Sequence, residues 1–215
     1  MDISRPTPAL LVGALLLLLP PGCTQPVKGS LALPGDLPPP ASLAVPRWLP
    51  GYHWEYRTEG GLWRNLTVQA EQAYSGQPAY KVRGDISPAD QRGQTGFDLW
   101  FDRATLGLVA VRNEVAQAEF TPPWEQFFPM ENRSVASMMR ASGGYMEEHH
   151  GDIAVRGWEM VATPAGVLPA VRIAMSDQEN NSTESRWYSP DVKNQVAFTA
   201  DEGRYLLVSW GTKSA

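Results

Sequence analysis

Two lines of sequence decide the fold. The first is Pro164-Ala-Gly-Val-Leu-Pro-Ala-Val-Arg-Ile-Ala-Met175, followed after a polar gap by Arg186-Trp-Tyr-Ser-Pro-Asp-Val-Lys-Asn-Gln-Val-Ala-Phe198. The same plan occurs earlier, as Gly76-Gln-Pro-Ala-Tyr-Lys-Val82, a polar gap, and Leu99-Trp-Phe-Asp-Arg-Ala-Thr-Leu-Gly-Leu-Val-Ala-Val111. Pro169-Ala-Val-Arg-Ile aligns with Pro78-Ala-Tyr-Lys-Val, Trp187-Tyr188 with Trp100-Phe101, and Val196-Ala-Phe with Val109-Ala-Val. This reads as an internal duplication of one β-meander. Within both copies the apolar period is two rather than 3.6. Val171, Ile173 and Met175 alternate with Arg172, Ala174 and Ser176, while Phe97, Leu99 and Phe101 alternate with Asp98, Trp100 and Asp102.

Working outward, the same alternation covers Tyr52, Trp54 and Tyr56, and turn chemistry punctuates the runs: Glu59-Gly-Gly, Ser75-Gly, Arg92-Gly, Thr163-Pro-Ala-Gly, Ser189-Pro-Asp and Asp201-Glu-Gly. Strands are expected over 51–58, 61–74, 78–84, 95–102, 106–112, 115–121, 134–141, 152–163, 167–176, 183–189, 193–200 and 203–210. At 134–141 the spacing of Val135, Met138 and Met139 leaves a short helix as the alternative. Short connections and one solvated face imply an all-β, antiparallel body. All eight Trp residues lie between Trp48 and Trp210, so residues 47–215 are expected to form a single domain.

The N-terminal part has a different character. Ala9 to Leu19 is an uncharged apolar run of eleven residues, preceded by Arg5 and ended by Pro20-Pro21-Gly22. A helix across a bilayer needs about 20 apolar residues, so 1–22 reads as a secretory signal peptide. Residues 23–46 carry Pro26, Pro34, Pro38, Pro39, Pro40 and Pro46 and read as an extended linker. The sequence has one cysteine and a net charge of −5, without a Lys/Arg run. The first excludes an intramolecular disulfide. The second leaves no electrostatic footprint for nucleic acid, so no nucleic-acid partner is expected.

Leu17-Leu-Leu-Pro-Pro-Gly-Cys23 resembles the lipobox of bacterial lipoproteins, with Pro20 standing where the pattern has Leu. The resemblance implies that Cys23 becomes the first residue and carries acyl chains. Membrane attachment would then run through those chains, and stable anchoring takes more than one. Thr24 rather than an acid follows, which among such lipoproteins implies the outer membrane, on the periplasmic side.

The folded part carries a second resemblance. Gly51-x-x-Trp54-x-Tyr56, Trp100-Phe-Asp, a Pro-Pro…Phe128-Pro129 connector, Gly157-x-Glu159-x-Val161-x-Thr-Pro-Ala-Gly and Trp187-Tyr-Ser-Pro-Asp-Val occur in that order. This resembles uncharacterised bacterial envelope β-proteins with a W-Y-S/A-P-x-V strand. It is more distantly similar to the lipoprotein-carrier class, which implies a curved antiparallel sheet forming an incomplete barrel around an apolar lumen. It implies no functional residues.

Candidate chemistry is sparse. Glu147-Glu-His-His-Gly-Asp152 is the one cluster of metal-ligand types. Neighbouring residues of a strand face opposite ways, and zinc needs three or four converging ligands, so a solvated hairpin turn is expected there, with no metal or other cofactor. No Gly-x-Ser-x-Gly elbow occurs, and the one Cys is assigned to lipid, so an enzyme is not expected. Phe120-Thr-Pro-Pro-Trp-Glu-Gln-Phe-Phe-Pro-Met130 joins the two repeats. Its prolines are expected to bar it from a central strand. Phe120, Trp124, Phe127 and Phe128 therefore either line a ligand site as a lid over the lumen or close one end of the core. Two functions follow: a binding module for an apolar or acyl ligand, or an assembly lipoprotein that contacts another envelope protein.

Overall fold

The computed structural model describes residues 30–31, 43–87, 95–178, 181–200 and 203–212. The signal segment, Cys23, most of the linker, and the turns at Arg92-Gly and Asp201-Glu lie outside the described residues. The strands, in chain order, are β1 (Ser30–Leu31), β2 (Tyr52–Arg57), β3 (Trp63–Glu71), β4 (Ala79–Ser87), β5 (Gly96–Asp102), β6 (Leu108–Arg112) and β7 (Gln117–Trp124). They continue as β8 (Arg133–Ala141), β9 (Met146–Thr163), β10 (Gly166–Asp177), β11 (Ser182–Ser189), β12 (Asn194–Ala200) and β13 (Gly203–Thr212). Each of the twelve expected ranges overlaps one of these strands, though β4, β7 and β13 run past the expected ends and β9 starts before the expected 152, and 134–141 is a strand rather than a helix.

From β2 to β13 every strand pairs antiparallel with its sequence neighbour, β13 pairs back onto β2, and β8 pairs with β9. The sheet therefore forms an all-β antiparallel barrel whose ladder closes, which leaves these strands without a long open edge. Residues Ser30 and Leu31, expected to lie in the linker, pair with Val161 and Met160 of β9.

Two expectations are corrected. Residues 147–152 form no hairpin turn: β9 starts at Met146 and pairs with β8 through Ser137↔His149 and Ala136↔His150. The polar side chains there alternate between lumen and solvent, so a polar stretch that resembles a turn in composition is a strand. Pro122 and Pro123 lie inside β7, a strand with neighbours on both sides. The ladder accommodates them. Pairing with β8 ends at Thr121↔Met138, and the register with β6 jumps between Ala110↔Glu119 and Leu108↔Trp124. The missing N–H groups thus fall where no ladder bond is due, and Ser137 Oγ donates to the Pro122 carbonyl at 2.6 Å.

The duplication is visible in the register. Trp100 pairs with Lys81 on one side and Ala110 on the other. Trp187 pairs with Arg172 and Ala197, the residues aligned to them. Both ladders shift register immediately after the Trp, between Trp100 and Phe101 and between Trp187 and Tyr188. The turns that follow place the aligned Leu106 and Lys193 at positive φ, 54° and 60°. Strands β4–β6 and β10–β12 lie six strands apart around the barrel, so β2–β7 and β8–β13 are its two halves.

Inside, Trp54, Tyr56, Tyr80, Phe101, Tyr188 and Phe198 belong to one continuous buried cluster. We call the end holding the β11–β12 turn the lower end. The chain enters the barrel there through Trp48, whose ring lies 5.2–5.5 Å from those of Trp54, Tyr80 and Phe101. Trp48 Nε1 donates to the Lys193 carbonyl at 2.8 Å.

Candidate functional site: the barrel lumen

The connector of the second half also enters from below. Phe127 and Phe128 are 3 % and 1 % exposed, and their rings stand 5.7 and 5.3 Å from that of Tyr188 on β11. Arg133 holds the loop from behind. Its Nε meets Glu125 at 2.5 Å, Nη2 donates to the Phe128 carbonyl at 3.0 Å, and Nη1 donates to the carbonyls of Pro129 and Glu131. Trp48-Leu-Pro50 before β2 and Phe127-Phe-Pro129 before β8 therefore do the same thing in the two halves: each seats an aromatic plug ahead of its first long strand.

Above the plugs the lumen keeps a cavity of about 120 Å³. Its apolar wall includes Phe97, Leu99, Leu108, Val111 and Phe120, and Phe198 closes the far side. Leu66 and Leu99 face inward yet are only half-buried, so the cavity reaches solvent. Its polar wall is built from the other half of the barrel and the plug. Arg186 Nη2 lies 2.5 Å from Glu184 and Nη1 donates to Gln126 Oε1 at 2.6 Å. Gln195 completes that wall; Arg64 of β3, from the first half, also lines the cavity and lies across the faces of Phe198 and Tyr205. Tyr56 donates its hydroxyl to the Gln195 carbonyl at 3.0 Å. Burial pushes the hydroxyl pKa values of Tyr56 and Tyr188 up, since water no longer stabilises a phenolate.

The four aromatics expected at the site are therefore divided. Phe120 lines the cavity. Phe127 and Phe128 form its floor plug. Trp124 sits apart, edge-on to His149 at 6.1 Å. His149 is buried between Glu147 and Asp177, at 3.6 and 3.7 Å, whereas His150 points outward. The residues not foreseen are Arg64, Glu184, Arg186 and Gln195. Alternation carried the signal: Arg186 shares a face with Tyr188, and Arg64 with Leu66.

The cavity owes its shape in part to a missing side chain. A Cβ on Gly84 would lie 2.2 Å from the Phe97 ring. Gly84→Ala should push that ring into the lumen, at about 1–3 kcal/mol of stability, and reduce the uptake of an apolar dye. Dye titration together with a urea melt checks both; undiminished uptake would separate Phe97 from the site.

No protein-family model and no curated protein matches this sequence. Two crystal structures show a likeness to the barrel. One is described as an exported protein with a YmcC-like fold from Bacteroides fragilis NCTC 9343, 14 % identical, covering 80 % of this chain and 100 % of that one at a TM-score of 0.41. The other is described as a lipoprotein from Parabacteroides distasonis ATCC 8503, 13 % identical, covering 76 % of this chain and 96 % of that one at a TM-score of 0.39.

Proposed function

We propose that this chain is an exported lipoprotein of the bacterial cell envelope. It is held on the periplasmic face of the outer membrane by acyl chains on Cys23, and its barrel is a non-catalytic binding module for an apolar or acyl ligand. The lumenal cavity carries the reading. A pre-formed concave site, mostly apolar with a few convergent polar groups, is what a small-molecule pocket requires. At about 120 Å³ it is well below the roughly 300–1,000 Å³ of pockets for drug-sized ligands. It suits a slender apolar segment or the end of an acyl chain, not a whole lipid. The anchor reading is supported by the apolar run Ala9 to Leu19 and the Pro20-Pro21-Gly22-Cys23 that follows it.

Native mass spectrometry of the protein extracted from an envelope fraction tests the ligand. A co-purifying small apolar molecule is expected. Recovery of a protein partner with no small molecule would replace this reading with the assembly lipoprotein. Attachment is tested separately: Cys23→Ala should move the protein out of the membrane fraction or leave it unprocessed. Incorporation of labelled fatty acid into that variant would refute the assignment of Cys23.

A further inference from the structure

We propose that the lower end of the barrel carries a second site, an open groove that takes a short stretch of a neutral sugar chain. The C–H face of a sugar ring lies on the indole of Trp210, and Asp191, Lys193 and Thr212 meet its hydroxyls. The site is separate from the lumenal cavity and does not depend on what that cavity binds.

The groove is walled by the start of β2, the end of β13 and the β11–β12 turn. It holds about 270 Å³, more than twice the lumenal cavity. Tyr52, Trp54, Trp210 and Thr212 line it from the sheet, and Asp191 and Lys193 from the turn. Trp210 pairs with Trp54 across the ladder, and Thr212 with Tyr52, so these four side chains share one face. Trp54 is 2 % exposed, whereas Trp210 is 38 % exposed. One indole thus serves the core, and its neighbour is left at the groove. The turn opposite is pinned. Trp54 Nε1 donates to the Val192 carbonyl at 3.0 Å and Trp48 Nε1 to the Lys193 carbonyl at 2.8 Å. Lys193 Nζ donates to the Tyr52 hydroxyl at 2.9 Å. Little ordering is then left for a ligand to impose.

The repeat supplies an internal comparison. In the aligned turn of the first half, Ala104 stands for Asp191, and Leu106, 1 % exposed, stands for Lys193. The positive φ is common to Leu106 and Lys193. The turn therefore forms without either charge, and the charged pair belongs to the groove rather than to the fold.

The lining decides the chemical class. Asp191 accepts hydrogen bonds, Lys193 donates them and Thr212 does both, around an aromatic surface whose ring faces are negative. A sugar ring matches this, with hydroxyls around its edge and slightly positive C–H groups on its face. Among the described lining residues the charges are one of each sign, Asp191 and Lys193, so neither a simple anion nor a simple cation is favoured. A purely apolar ligand would strip water from both charges.

Calorimetric titration of the full chain with maltose, cellobiose and N,N'-diacetylchitobiose tests this, with glycerophosphoethanolamine as the zwitterionic rival. At least one sugar should bind with a Kd of about 1 mM or below. Trp210→Ala and Asp191→Ala should each weaken that sugar by at least about tenfold, with the urea midpoint of the parent. Trp210→Tyr should bind it more tightly than Trp210→Ala, as a stacking surface requires. If Trp210→Ala does not fold, Asp191→Ala on its exposed turn decides. Binding by none of the three sugars, unchanged affinity in the folded alanine variants, or tighter binding of glycerophosphoethanolamine than of every sugar overturns the proposal. Uptake of an apolar dye by the lumen should be the same in Trp210→Ala as in the parent. Its loss together with sugar binding would make the two cavities one site and overturn a separate groove.

Discussion

Phe127→Ala combined with Phe128→Ala should leave the barrel unfolded or nearly so. Both rings are buried and both pack on Tyr188. Truncating a core Phe costs about 3–5 kcal/mol, because the transfer free energy of the ring is lost and a cavity remains. Two such losses amount to about 6–10 kcal/mol if they added. They share Tyr188 as a partner, so they will not add fully. Even so, the sum rivals the roughly 5–15 kcal/mol that holds a typical domain together. Arg186 would lose the ring beneath its guanidinium as well, loosening the polar wall of the cavity. Urea melts of parent, single and double variants measure this. A lid would behave otherwise, with a loss below about 1 kcal/mol and altered dye uptake in a stable protein. A double variant within about 1 kcal/mol of the parent would return the connector to the role of a lid.

The plug also shows why the connector was hard to place from sequence. Aromatic rings and prolines between two repeats fit a lid and a plug equally, since both need an apolar segment that leaves the ladder. What separates them is whether the far wall offers a complementary surface. That surface is Tyr188, which is 60 or so residues away in the chain and brought opposite by barrel closure. The prolines mislead for a related reason. Pro122 and Pro123 forbid a regular central strand, yet the ladder with β6 is already broken beside them and pairing with β8 has stopped.

Strand positions were legible because one face of each strand meets the core and the other meets solvent, so composition alternates with the pleat. Legibility failed where the lumen itself is polar. Glu147, His149 and Gly151 continue the inward parity of Ile153 and Val155, but as polar and small residues they imitate a turn. Arg186 and Glu184 raise the same difficulty at the cavity. Their inward direction follows from Tyr188 two and four residues on, whereas their charge argues for solvent. Only the closed barrel shows that Gln126 from the connector supplies Arg186 with a neutral partner.

The repeat leads to the second large effect: Trp100→Ala and Trp187→Ala should each cost about 3 kcal/mol or more, Trp187 the more severe, and for the same structural reason. Each ring has a cationic cross-strand partner, Lys81 or Arg172, and lies on the outer face, yet is only 5 % and 4 % exposed. Trp100 is covered by Tyr74 at 4.9 Å and by the charged ends of Lys81 and Arg112 at 5.6 and 5.3 Å. Trp187 is covered by Arg172 and Arg204 at 5.6 and 4.3 Å, and it donates Nε1–H to Glu159 at 2.8 Å. Burial depresses the pKa of Arg204, as expected for a guanidinium moved out of water onto a ring face. Core Trp truncations cost about 3–5 kcal/mol. The covering side chains are long and can collapse into the space, so the low end applies here. Trp187 should cost more by about 1–2 kcal/mol, because it also surrenders a hydrogen bond to a carboxylate. The two sites are on strands six apart around the barrel and share no partner among the contacts above, so the double variant should equal the sum of the singles to within about 0.5 kcal/mol. Urea melts on the three variants supply all of these quantities. A loss of 3 kcal/mol or more at Trp187 beside a loss below about 1 kcal/mol at Trp100 would mean that matched register and matched bulges do not make the two halves energetically equivalent.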